Sequence, residues 1–595
     1  MAAWVATFRD RVGDVIEGGL TVDLCVKVPL LEEMAGLLEA HQRMDNGDTK
    51  PLQESLLALG VLLLKHVEHV SIVRVQHLCY RLLILVLQRD EFLLGHLGFD
   101  FNTQDVRMDG DRESWRLVGL YRKLLGDAFT FTSALLRRNV LSTEAQALCA
   151  AIAARAYFVF PLLQASFVDI CNWRACQLSP TRPQELQTTL TAQRRCDMDK
   201  CTDTGLMDAC PDVFHWGWLA KASDLTTLLP DDSPWRLLLA TDGTMFVRFV
   251  EAFVEYLTTV FDRCIPGQAA HVNWAMVPGY TDLMHLFAPF VYDAIVWLNH
   301  VPAATELAIS AMFPMTHSLG DSALDCATRT MANPRMVTLL VPCAMVGLQR
   351  HPSCHPVGLT RTLGAVSRWL TAAAQPFAGA AAGDHSCGGN NMPVRLQSLH
   401  LYPSFASLDT VLPVVISWLS TPDDSVLVPT LQWLAEHLPH LPMDAKEVLV
   451  AALLHPHTFF PLFLHWSPRV RRTCHRLLVY QLFRHDRRQL QLASDAYALR
   501  QQPTPVKVHD LAKVSDSPNL MLDISSASKV DTHLFVLTAP AADPAAFPEA
   551  LSIFVDEALD EYAGCLIEYY AACAEAESAL GRRLWSDEVV APPTF

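Results

Sequence analysis

The sequence predicts an all-α fold in which helical pairs stack along the chain, and three observations carry that prediction. Two stretches repeat one apolar stripe: Val426-Leu427, Thr430, Trp433-Leu434 and Leu438 in the first, Val470-Arg471, Cys474, Leu477-Leu478 and Leu482 in the second. Their offset, 470 less 426, is 44 residues, inside the roughly 40 to 47 residue period of helical pairs that hide their apolar faces only by stacking. Leu and Ala recur at three and four residue spacing over long stretches, where an α/β enzyme would show Gly-punctuated Val and Ile strands between helices. Finally, 595 residues of which 51% are hydrophobic exceed the ~250 to 300 at which one compact core stops growing. Such a chain forms several domains or one elongated stack.

The elements follow in order. In the N-terminal helical region, 1–179, the stretches Leu20 to Gln42, Leu52 to Leu64, Ile72 to Gln88, Trp115 to Leu125 and Thr143 to Leu163 carry apolar residues at helical spacing. Polar breaks at Met44 to Lys50 and Asn102 to Arg112 separate them. From Pro180 to Asp212 hydrophobic density falls and Arg, Thr, Gln and Asp take over, which places a mobile polar loop or junction at 180–212. A central region, 213–375, opens its main helix with Ser233 as N-cap and Pro234 in the first turn. The stripe Trp235, Leu238, Leu239, Phe246, Phe249, Phe253, Leu257, Val260 and Phe261 then runs unbroken to Pro266-Gly267. Further helices are expected at Tyr280 to Leu298, Pro302 to Phe313, Ser322 to Met331, Val337 to Leu348 and Val357 to Ala374.

The low-complexity stretch Ala378 to Asn391 predicts a flexible loop, 376–393. The clearest repeats occupy Leu408 to Leu499, within a repeat region 394–500, where Pro413, Pro422, Pro439, Pro442 and Pro468 mark turns and first turns. Across 501–546 the helical rhythm is lost, and the apolar runs Leu520 to Ile524 and Leu534 to Leu537 predict a short extended or β-hairpin segment near 518–538. The region 547–595 closes with an amphipathic helix: Leu551, Phe554, Val555, Tyr562, Cys565, Leu566, Tyr569, Cys573 and Leu580 form one face, and Asp556, Glu557, Asp560, Glu561, Glu568, Glu575 and Glu577 lie mostly elsewhere. A polar-backed terminal helix is what a helical stack needs as a cap.

On Asp424-Ser425-Val426 and Ser467-Pro468-Arg469-Val470-Arg471, which open two inner helices, the chain resembles the HEAT and armadillo family of α-solenoids over about ninety residues. The resemblance implies stacked helical pairs and a surface that docks other proteins.

Fragments that mimic enzyme signatures lack the residue that would perform the chemistry. Thr241-Asp242-Gly243-Thr244 resembles the tail of a haloacid-dehalogenase motif, with Ala240 where the nucleophilic aspartate belongs. Gly320-Asp321-Ser322 has no preceding strand to present an activated serine. Gly379 to Gly389 has no Gly-Lys-Ser/Thr end to hold phosphates. Cys171, Cys176, Cys196, Cys201 and Cys210, with His215, are the one local thiol concentration, but their spacing lacks the paired ligands two to four residues apart that zinc sites show. His66 with His69, and His437 with His440, sit one helical turn apart without a third ligand. No catalytic residue, cofactor or metal is therefore expected.

A net charge of -17 opposes indiscriminate attraction to nucleic acid or anionic lipid. Against that background Arg469, Arg472, Arg476, Arg487 and Arg488 recur at roughly helical intervals and form the candidate partner-binding stripe, unless acidic residues of adjacent repeats neutralise them. The longest apolar runs, Leu56 to Leu64 and Leu82 to Leu87, fall short of the ~20 residues of a membrane helix, so no membrane insertion is expected. Arg9, Asp10 and Arg11 interrupt any signal-peptide core, Asp10, Asp14 and Glu17 argue against a transit peptide, and the 16 cysteines on mostly apolar faces fit free thiols in cytoplasm or nucleus. The expected function is a non-enzymatic scaffold or adaptor for protein partners in an intracellular assembly. The alternative is a nucleic-acid-associated chromosome-maintenance factor using the arginine stripe, and an enzyme with an unrecognised site ranks below both.

Overall fold

The computed structural model of the chain describes residues 24–40, 50–97, 112–178, 209–216, 232–266, 271–300, 317–349, 356–381, 396–397, 408–482, 529–537, 549–580 and 589–590, apart from short interruptions and a few single residues besides. The described chain is helical throughout, save one antiparallel ladder of two residues a side that pairs Leu396 with Val590 and Gln397 with Val589. It divides into two units, Met1–Val291 with Met315–Asn333, and Tyr292–Pro314 with Pro334–Phe595.

The first unit contains α1 (Leu24–Ala40), α2 (Lys50–His66), α3 (Val73–Leu87), α4 (Arg112–Leu136), α5 (Thr143–Val159), α6 (Pro161–Leu178), α7 (Pro234–Thr241), α8 (Gly243–Cys264), the start of α9 (Tyr280–His300) and α10 (His317–Thr330). Alternate helices pack on one another: α1, α3, α5, α8 and α10 form one row, and α2, α4 and α7 the other. This is the layering that apolar stripes on consecutive helices demand. α5 is the central member, buried from Leu148 to Val159 because Ala at 150, 151, 153, 154 and 156 lets its neighbours approach closely. Tyr157 and Phe158 meet Phe249, Phe253 and Tyr256 of α8 at 5.2 to 6.1 Å between ring centres. Each fully buried ring or Leu contributes about 1.5–3 kcal/mol. Gly279, at φ 73, passes so close to the Tyr157 hydroxyl that no Cβ fits, and that hydroxyl donates to the Pro278 carbonyl at 3.0 Å.

Several charges are buried in this apolar unit together with their partners. Arg155 of α5 donates from Nε to Tyr121 Oη at 2.6 Å, from Nη1 to Tyr256 Oη and from Nη2 to the Phe92 carbonyl at 3.3 Å. The rings of Tyr121, Trp216 and Tyr256 surround its guanidinium at 5.0 to 5.4 Å. The tight turn Asp90–Phe92 is buried although it carries two carboxylates: Glu91 receives both arms of Arg89 at 2.7 and 2.8 Å, and Asp90 lies 2.5 Å from Arg263.

The second unit contains the end of α9, then α11 (Val337–Gln349), α12 (Pro356–Ala381), α13 (Val411–Leu419), α14 (Asp424–His437), α15 (Met443–Leu453), α16 (Pro456–Phe463), α17 (Pro468–Leu477) and α18 (Val555–Leu580). α12, α14, α17 and α18 pack in series, and α11, α13, α15 and α16 form the companion row. The two stripes at 44-residue offset are thus consecutive members of one row, and every stripe residue is buried. α17 continues without a break into a π-helical turn, Leu478–Leu482.

The helix expected from Pro234 to Phe261 is described as Pro234–Thr241 and Gly243–Cys264, with residue 242 outside the described residues. Three expectations change. The loop expected at 376–393 is helical through Ala381, because its Ala-rich start favours helix over coil. Within 518–538, the described residues at 529–530, 532–534 and 536–537 are helical, which removes the strand expected at Leu534 to Leu537; a four-residue apolar run does not distinguish the two states. The other expected strand, Leu520 to Ile524, and the helix expected at Pro302 to Phe313 lie outside the described residues. At the end of the expected polar junction, Asp212 is buried and accepts from Leu94 N at 3.0 Å, so that end packs into the first unit.

Among the described residues no single helix is long and apolar enough to cross a membrane. The pair α5 and α6 together reach the length but bend by 119°.

The glycines of α12 test the close packing. A Cβ at Gly358 would land on the Leu298 carbonyl oxygen and within 2.9 Å of Asn299 Oδ1, whereas Gly364 of the same helix has open space. Gly358→Ala will destabilise the protein by about 1–3 kcal/mol, and Gly364→Ala will stabilise it by about 0.5–1 kcal/mol, read from urea unfolding. Equal effects at both positions would mean that α12 does not abut the end of α9.

Candidate interaction surface

α17 carries three of the five arginines singled out in the sequence. Pro468 opens the helix at its first position, and Ser467 ahead of it sends its hydroxyl to Asp424 Oδ2 of α14 at 3.2 Å in place of capping its own helix. The first turns of the two repeat helices are tied together by that bond. Arg469 is exposed, Arg472 is exposed and lies 3.9 Å from Glu561, and Arg476 is largely covered and lies 3.7 Å from Glu568. Arg487 and Arg488 lie outside the described residues.

The residue that organises the surface is Arg471, which sequence reasoning placed in the apolar stripe. Its side chain is 1% exposed. Nε and Nη2 grip Glu561 of α18 in a two-pronged contact at 3.0 and 3.1 Å, Nη2 also meets Glu557 at 2.8 Å, and Nη1 donates to the carbonyls of His465 and Trp466 at 2.8 and 3.4 Å. These contacts match the five N–H donors of a guanidinium, and the Phe554 ring lies 5.8 Å from Cζ. Hydrogen bonding to the two carboxylates outweighs burial and holds its pKa above the ordinary arginine value.

The spacing of Glu557, Glu561 and Glu568 on α18 puts them on one helical face against Arg471, Arg472 and Arg476. The sequence places these acids mostly away from the apolar face; the basic element they meet is α17 of the same chain. Their four and seven residue intervals, which return a side chain to one helical face, were the signal for it.

Around the clamp the chemistry is quiet. His475 donates from Nε2 to the Phe463 carbonyl at 3.2 Å and packs against the rings of Phe463 and Tyr562, and burial lowers its pKa to about 3. His437 of α14 lies 2.5 Å from Ser367 Oγ, and burial, with His440 nearby, likewise takes it to about 3. Burial pushes the Cys474 thiol up to about 12 and Cys565 to about 11. Protonated thiols, neutral imidazoles and a saturated guanidinium form a mechanical clamp, with no activated nucleophile among them.

Of the cysteines weighed as metal ligands, Cys171 and Cys176 lie on the end of α6 where side chains are not described, and Cys196 and Cys201 are outside the described residues. Cys210 and His215 are buried in the first unit. Among the described residues no three or more His, Cys, Asp or Glu side chains gather as a metal site.

Arg471→Met will cost about 3 kcal/mol, because it strands Glu561 in a largely covered position, while Arg469→Met will stay within about 0.5 kcal/mol of the parent; urea unfolding reads both. The two histidines add a pH term. Their folded pKa values lie below the ordinary 6.5, so the unfolded chain binds more protons between pH 6.5 and 3, and stability present at neutral pH is lost as pH falls through that window. At pH 5 the loss is about 2 kcal/mol for each histidine. His475→Phe will flatten the fall of unfolding free energy between pH 7 and 5 by that amount, and parallel curves for variant and parent would contradict it.

The sequence model of one family, described as "Protein of unknown function (DUF1765)", matches residues 392–482, a stretch that holds α13 to α17 and ends before the acidic helix that packs on α17. No curated protein and no solved structure matches the chain.

Proposed function

We propose that this chain is a non-enzymatic scaffold of the HEAT or armadillo kind that holds protein partners in an assembly of the cytoplasm or nucleus. The observation that carries the reading is an exposed apolar pair at the junction of α17 and α18: Trp466 is 59% exposed and Ile553 77% exposed. Both flank the same guanidinium, since Arg471 binds the Trp466 carbonyl and packs on Phe554, the neighbour of Ile553. A large ring held on a rigid frame in solvent is the kind of group that anchors protein interfaces.

The nucleic-acid alternative draws less support, because Arg472 and Arg476 stand within ion-pair reach of Glu561 and Glu568 and the whole chain carries -17. Partner capture from a native extract, quantified by mass spectrometry, tests the scaffold reading with intact chain, Trp466→Ala with Ile553→Ser, and a chain lacking residues 548–595. Proteins held by the intact chain will be lost roughly tenfold from the double variant, with its helical circular dichroism unchanged. Equal recovery from all three forms would sink the reading. Salt-sensitive nucleic-acid binding abolished by charge reversal at Arg469, Arg472 and Arg476 would put the alternative in its place.

A further inference from the structure

The exposed Trp466 and Ile553 stand in unlike electrostatic surroundings. Trp466 comes three residues before Arg469 at the entrance of α17, so their Cα atoms are at most about 11 Å apart. Arg469 is exposed, and among the described residues its guanidinium has no ion pair. Arg472 follows at the three-residue spacing that shares one helical face. Its side chain is 68% exposed, and it lies a long 3.9 Å from Glu561, a carboxylate already gripped by Arg471 at 3.0 and 3.1 Å. An exposed pair of that length holds its arginine only weakly. Two guanidinium groups one turn apart, with most of their donors unspent, therefore stand beside an exposed ring.

The Ile553 side is acidic. Ile553 precedes the first turn of α18, which carries the exposed Asp556 and Glu557. Glu557 is spent on Arg471, and Asp556 and the exposed Asp560 each already take part in a contact within the chain. The surface is thus polarised, and its unspent charge is the cationic end.

We propose, on the scaffold reading above, that the partner seated here is a short acidic segment of another protein, with an aromatic or aliphatic residue against Trp466 and Ile553 and two carboxylates on Arg469 and Arg472. Carboxylates match the fork of a guanidinium in two-pronged geometry, and an apolar anchor over Trp466 excludes water from those contacts and strengthens them. A basic segment meets carboxylates that are already engaged: Glu557, Glu561 and Glu568 face the arginines of α17. A nucleic-acid strand spreads its charge along its whole length, so the phosphates that extend past Arg469 and Arg472 meet the carboxylates of α18. A short acidic segment avoids them by ending over α17.

A phage-displayed library of random linear peptides is selected on the intact chain at low ionic strength, and the recovered peptides are synthesised and titrated by fluorescence anisotropy. The expected peptides carry Asp or Glu beside an aromatic or aliphatic residue, and added salt weakens their binding. Affinity falls roughly tenfold in Trp466→Ala with Ile553→Ser and again in Arg469→Glu with Arg472→Glu, with helical circular dichroism unchanged. Arg469→Lys with Arg472→Lys retains part of it, and Asp556→Asn leaves it equal or tighter. Peptides that depend on Trp466 and Ile553 but are neutral or basic, that bind the arginine-reversed chain as well as the parent, or that weaken in Asp556→Asn would overturn the acidic chemistry while the scaffold surface stood. Selection yielding no peptide that depends on Trp466 and Ile553 would remove the surface itself. Displacement of the acidic peptides by a single-stranded DNA oligonucleotide that binds the same arginines more tightly would overturn the choice of a protein partner.

Discussion

A guanidinium inside an apolar helical row dictates the position of whatever surrounds it, because each of its five N–H donors must find an acceptor that water no longer supplies. Arg471 draws two carboxylates from α18 and two carbonyls from the turn ahead of α17. Arg155 draws two phenolic hydroxyls from α4 and α8 and the carbonyl of Phe92. Arg89 draws Glu91 and the Leu38 carbonyl. Apolar contact alone would let neighbouring helices slide against one another at small cost, whereas these donors fix register. The same constraint explains why the turn Asp90–Phe92, acidic and short, is one of the most buried pieces of the first unit.

What was legible in the sequence is what local periodicity encodes. The stripes at Val426 to Leu438 and Val470 to Leu482 named every buried residue of α14 and α17 that they included, and their offset told that the two helices are row neighbours. The amphipathic C-terminal helix was placed and given a capping role, and it does lie at the end of its row. The role of Arg471 stayed hidden because a stripe marks burial and says nothing of what a buried charge meets ninety residues later at Glu561. Asp90 and Glu91 look like a solvated turn until Arg89 and Arg263 are brought to them.

The stripe proposed for binding and the helix proposed as a cap turned out to be two halves of one contact. A row of stacked helices ends with an uncovered face, and α17 would present one on the side away from α14. α18 closes that face with Ala558, Tyr562, Cys565, Leu566 and Tyr569, all buried, while Glu557, Glu561 and Glu568 answer the arginines. An acidic helix on a basic one contributes specificity beyond area, because any slip by one helical turn would set Glu561 against a different side chain and strand Arg471.

The family match sharpens this point. It covers 392–482, so it includes Arg471 and omits α18, whose first residue is Val555. A stretch ending at Leu482 carries a buried cation without its counter-ions and an apolar face without its cover. Those residues are therefore not a self-sufficient folding unit in this chain: the row they build is completed by a helix more than seventy residues further along. The closing contact is non-local, since Arg471 of α17 meets its counter-ions Glu557 and Glu561 about ninety residues further along.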